Sequence, residues 1–141
     1  MMSAYRLRVA LGTASVAVAL SLGAGPAAAA ELKLSGDNEV PPVKTSASGS
    51  GTITVASDGA VSGSVKTSGV DGTMAHIHVG AAGSNGPVII PLTKGADGTW
   101  TVPAGAKLNE DQMKSYKAGA LYVNVHSEAN KGGEIRAQLT P

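Results

Sequence analysis

Met74-Ala75-His76-Ile77-His78-Val79 decides how the chain is read, because its side chains separate cleanly with a period of two. Successive side chains of a β-strand point to opposite faces. Ala75, Ile77 and Val79 therefore face a core, and His76 and His78 share the other face. At about 3.3 Å per residue their Cα atoms lie roughly 6–7 Å apart. Leu121-Tyr122-Val123-Asn124-Val125-His126 repeats the pattern, with Leu121, Val123 and Val125 on one side and Tyr122, Asn124 and His126 on the other. His76, His78 and His126 are the chain's three histidines. If the two strands are neighbours, the three imidazoles converge.

The surrounding text is also strand-like. Leu32-Lys33-Leu34 alternates, and Val40-Pro41-Pro42-Val43 lacks two ladder donors, so it reads as an edge or a crossing. Thr45 to Val55 and Ala60 to Thr67 read as strands joined by a turn at Ser57-Asp58-Gly59. Val88 to Leu92 and Thr99 to Val102 are shorter strands, and in the final one, Glu134 to Leu139, Glu134, Arg136 and Gln138 are expected to face out. Gly80 to Pro87 reads as a surface loop, since neither a P-loop Lys-Ser/Thr nor a helix follows it. A helix of about two turns is expected after Asn109, with Gln112 as its capping-box partner, Leu108 and Met113 as a hydrophobic staple, and Gly119 as the stop. Many short strands with regular turns predict an all-β fold, an antiparallel Greek-key β-sandwich with one short helix.

Residues 1–30 read as a cleaved signal peptide. Arg6 and Arg8 precede an apolar stretch, and Ala28-Ala29-Ala30 is a small-residue cleavage site. Residues 31–141 are then one domain, exported to the periplasm or the extracellular space. Without Arg6 and Arg8 it carries nine basic against ten acidic residues. Near-neutrality gives no basic patch for nucleic acid and no cationic helix for a membrane surface, and no span is expected in the mature chain. The absence of cysteine excludes disulfides, thiolate ligands and a Cys nucleophile. With no Phe and one Trp, the core must come from Val, Ile, Leu and Ala.

Three blocks carry a resemblance. Leu34-Ser35-Gly36-Asp37-Asn38-Glu39-Val40-Pro41-Pro42, then Ala75-His76-Ile77-His78 with Asn85-Gly86-Pro87, then Tyr122-Val123-Asn124-Val125-His126 with Gly132-Gly133-Glu134-Ile135-Arg136-Ala137-Gln138-Leu139 resemble the CHRD domain, a module named after chordin. Ala137 stands where the family usually has glycine. The resemblance implies an immunoglobulin-like or superoxide-dismutase-like sandwich in an exported protein, and assigns no biochemical role. A weaker resemblance links Gly63-Ser64-Val65-Lys66, His76, His78 and His126 to copper-zinc superoxide dismutase. That family's zinc-site histidines and disulfide cysteines have no counterparts here. Arg136 would correspond to its guiding arginine.

Three imidazoles suit a borderline-soft metal, so one copper or zinc ion is expected on His76, His78 and His126. Asn124, Glu128, Glu134 and Arg136 are candidate supporting residues around it. Met74, on the same strand face as His76 and His78, reads either as a soft axial ligand for copper or, more simply, as ordinary packing at a strand start. The competing structural reading pairs His76 and His78 with Asn124 or Tyr122 across strands. Functionally the expectation is a binding module that holds a metal. The alternatives are a superoxide-dismutase-like redox enzyme and an adhesive or extracellular-matrix domain without metal. No catalytic residue is assigned, and no protein partner is identified.

Overall fold

A computed structural model describes residues 30–141. All of the segment read as a signal peptide except Ala30 lies outside the described residues. Nine strands are present among them: β1 (Leu32–Ser35), β2 (Ser48–Val55), β3 (Val61–Ser68), β4 (Gly72–Val79), β5 (Val88–Pro91), β6 (Thr93–Lys94), β7 (Thr99–Thr101), β8 (Leu121–Ser127) and β9 (Ile135–Gln138). A 3-10 turn, Gly36–Asn38, follows β1, and one helix, α1 (Glu110–Lys117), precedes β8. The fold is all-β and antiparallel throughout, as the alternation implies.

The strands form one sheet in the order β5-β4-β8-β9-β1-β2-β3-β7-β6. Hairpins join β1 to β2 to β3, and β8 to β9, while the β3–β4 and β7–β8 connections skip intervening strands in Greek-key fashion. β5 and β6 stand at opposite ends of the order, yet only Leu92 separates them. The Leu92 N–H donates to the Ala75 carbonyl of β4 at 2.9 Å, and the next two residues pair with β7. The second of these, Lys94, reaches back through Nζ to the Gly72 carbonyl at 2.7 Å. One short segment thus spans from the β4 margin to the β7 margin. The two walls expected of a sandwich belong to a single curled sheet that nearly closes into a barrel.

Inside sits an aliphatic core. Leu34, Val65, Ile77, Leu121, Val123, Val125, Ile135 and Leu139 are buried almost completely. Trp100 fills the end nearest the closing segment, where Lys94 lies over its ring. Gly72 makes room for it: a Cβ there would lie 2.8 Å from a Trp100 ring carbon.

The helix forms as its sequence dictates. Asn109 Oδ1 accepts from the Gln112 N–H, and Gln112 Oε1 accepts from the Asn109 N–H, both at 2.9 Å. No residue of α1 is fully buried, although Met113 and Tyr116 lean on the core. It serves as a connector between β7 and β8.

Burial therefore sets stability in the sheet and not in the helix. Ile77→Ala is expected to lower the unfolding free energy by about 2–5 kcal/mol through cavity formation. Asn109→Ala removes one cap and is expected to cost about 1 kcal/mol. Urea denaturation of the two variants checks the ordering, and equal losses would contradict it.

Candidate metal centre

β8 is buried along its whole length, on both faces. Leu121, Val123 and Val125 face the core. Tyr122, Asn124 and His126 face outward but are covered by loops around residues 36–43, 80–87 and 128–134. The same cover buries Arg136 and Glu134 at the adjoining margin, both expected to face solvent. Alternation located the outer face correctly; it could not reveal that distant loops fold over it.

The register of β4 and β8 places Met74 opposite His126, His76 opposite Asn124 and His78 opposite Tyr122. The three imidazoles gather diagonally across this pair. Each offers a ring nitrogen within 4.8 Å of the others. His76 Nδ1 and His126 Nε2 are 3.1 Å apart. Ligands on one tetrahedral ion at about 2.0–2.1 Å would stand roughly 3.3 Å from each other.

Backbone carbonyls orient two of the rings. His78 Nδ1 donates to the Gly86 carbonyl at 2.9 Å, and His126 Nδ1 donates to the Lys131 carbonyl at 2.8 Å. These bonds fix the tautomers with both Nε2 atoms unprotonated, and that of His126 accepts from His76 Nδ1 at 3.1 Å. His78 Nε2 is buried without any hydrogen-bond partner. An orphaned buried acceptor of this kind calls for an explanation. Burial lowers the pKa of His76 below 6.5, and the neighbouring His126 and His78 add to the effect. Burial also lowers that of His78, more than the Gly86 carbonyl restores. Both rings are held in the neutral form that can donate a lone pair to a metal.

Behind the histidines lies a buried ion pair that the sequence reading did not single out. Arg136 Nη2 and Nε reach Glu39 Oε2 at 2.9 and 3.0 Å, and both side chains are almost fully buried. Burial raises the Glu39 carboxyl above 4.5, while the charge and hydrogen bonds of Arg136 pull it back. Arg136 also donates to Ser84 O at 2.9 Å and to Asn85 Oδ1 at 2.6 Å. Its guanidinium lies 3.9 Å from the Tyr122 ring centroid. The His78 ring stacks on Tyr122 at 4.7 Å, nearly parallel. Both neighbours cannot occupy one face of the phenol, so Arg136, Tyr122 and His78 form a three-layer stack. The Gly86 N–H, donating to the Tyr122 hydroxyl at 3.1 Å, ties the 80–87 loop to it.

Among the other candidates, Asn124 sits between the histidines and the ion pair, 1% exposed, with Oδ1 unpaired. Gly133 is required beside it: its φ is +124°, and a Cβ would fall 2.5 Å from both Asn124 Nδ2 and Glu39 Oε1. The Glu134 carboxylate turns to Thr45, Ser127 and Asn130, at 2.7–3.1 Å, and braces the β8–β9 connector. Burial alone would raise its pKa; these three hydrogen bonds outweigh that and lower it. Glu128 is exposed and pairs with Lys131. In the sequence Glu39 stands out only as part of the block Leu34–Pro42, and its partner lies 97 positions away.

Removing one half of the ion pair strands the other. Arg136→Ala is expected to cost about 3–5 kcal/mol of stability in urea denaturation. Because His76 and His78 have folded pKa values below 6.5, folding favours their neutral forms. Their contribution is complete above pH 6.5 and is lost as pH falls from there through the lowered values. Melting temperature of the metal-free protein is expected to drop between pH 7 and pH 5, and less so in a His76→Gln/His78→Gln variant; identical profiles would refute the assignment.

Comparison with known proteins agrees with the text of the three blocks. One family model, the CHRD domain, matches residues 30–139. No curated protein and no solved structure gives a significant match. The match takes in every strand described above, together with the three histidines and the Glu39–Arg136 pair, and the chain belongs to the CHRD-domain family.

Proposed function

We propose that this CHRD domain is an exported binding module that holds one copper or zinc ion through His76, His78 and His126. The observation that carries the reading is the set of three ring nitrogens within 4.8 Å of one another. Two of the rings are already aimed by carbonyls, so little rotamer entropy remains to be lost on binding. Among the described residues no carboxylate joins the cluster. Three nitrogen ligands leave a coordination position open.

Holding is favoured over redox catalysis. Arg136 is committed to Glu39 and to the 80–87 loop, and the Tyr122 ring lies between it and His78. It is not free to steer a small anion toward an ion on the histidines. Export is part of the same reading. It is supported by the arginine-led apolar text of residues 1–30, and no described helix is long and apolar enough to cross a membrane.

Titration of the protein with copper(II) and with zinc(II) at pH 7 is expected to saturate at one ion per chain. His126→Ala removes a ligand outright, so affinity is expected to fall by more than the roughly 10–100-fold that loss of an outer-shell partner costs. Binding weakens as protons compete below about pH 6.5. A wild-type protein that takes up neither ion would reject the reading.

A further inference from the structure

Met74 is 51% exposed. Exposure of a single apolar side chain decides nothing; its position does. Met74 lies two residues before His76 on the same face of β4, and directly opposite His126 in the β4–β8 register. Facing residues in such a pair have Cβ atoms about 4.5–5.5 Å apart, within reach of an unbranched side chain. The placement depends on a β-bulge: the ladder slips by one residue between Gly72 and Met74. The extra residue, Thr73, donates from Oγ1 to the His126 carbonyl at 3.3 Å. The bulge that aims Met74 is thus fastened to the residue it faces, and bulges commonly re-aim a side chain next to a site. His78 and His126 are buried, while His76 is half-buried and Met74 exposed. Met74 thus shares the imidazoles' face of β4 with His76, the least buried of the three.

We infer that Met74 supplies the fourth ligand through its sulfur, and that the centre prefers copper(I) to zinc(II). This rests on the metal-binding reading above and adds the oxidation state of the cargo. A neutral thioether is a soft donor that suits copper(I). Zinc completes its shell with imidazole, thiolate, carboxylate or water, and gains little from a thioether. The chain has no cysteine, so methionine is its only soft donor. Within residues 30–141 the other methionine is Met113, on α1 and packed against the core.

The test uses the full chain, titrated with copper(I) under ascorbate against a chromophoric copper(I) chelator, and separately with zinc(II). Met74→Leu keeps the volume and changes an exposed residue. It is expected to weaken copper(I) binding by about tenfold or more while leaving zinc(II) within about twofold. In protein carrying 13C-methyl methionine, copper(I) is expected to shift the Met74 methyl resonance and leave that of Met113 in place. Equal copper(I) affinity in wild type and Met74→Leu, with an unmoved Met74 methyl, overturns the inference but not the three-histidine centre. A wild type that binds neither copper(I) nor zinc(II) overturns both.

Discussion

The Glu39–Arg136 ion pair is the constraint on which the outer face of β4, β8 and β9 depends. Two opposite charges taken out of water are tolerable only when geometry and further hydrogen bonds compensate. Here they do so by recruiting chain from three places. Glu39 comes from the turn after β1, Arg136 from β9, and Ser84 and Asn85 from the loop after β4. Fastening that loop puts Gly86 against His78 and Tyr122. One buried charge pair thereby organises the cover that encloses the histidines.

That arrangement explains an apparent contradiction in β8. A strand of an antiparallel sheet with alternating residues ordinarily shows one face to water. β8 shows neither. Its inner residues are aliphatic and need no partners. Its outer residues are polar, so each must find a partner within the protein or stand unsatisfied. Tyr122 and His126 find backbone groups. Asn124 Oδ1 finds none, and neither do two atoms packed on the same face, His78 Nε2 of β4 and Glu39 Oε1 of the turn after β1. The unsatisfied atoms are concentrated in one region, around the three imidazoles, while the aliphatic interior has none.

Much of this was legible in the chain. Period-two alternation gave the strands and their inner faces, and Asn109 with Gln112 gave the helix start, because both signals are local. The convergence of His76, His78 and His126 followed from face assignment once β4 and β8 were neighbours. Three things were not legible, for a common reason. β6 is two residues that pair only because Leu92 carries the chain across the barrel seam. Arg136 read as solvent-facing because its alternation phase is right, while its cover comes from residues about fifty and about a hundred positions earlier. Glu134 read as a neighbour of the site, yet its carboxylate points to Thr45 and the connector. Each depends on contacts between distant segments, and no local pattern encodes such contacts.

The crossing segment Val88–Lys94 has a bearing on how the domain behaves in company. An open sheet exposes two rows of unsatisfied amides that invite pairing with a second chain. In this molecule the rows left over are four and two residues long, and Pro87 and Pro91 flank or interrupt the longer one. Strand addition by a neighbour has little to grip. A cysteine-free domain thereby offers a second copy little open edge on which to polymerise, without help from covalent cross-links.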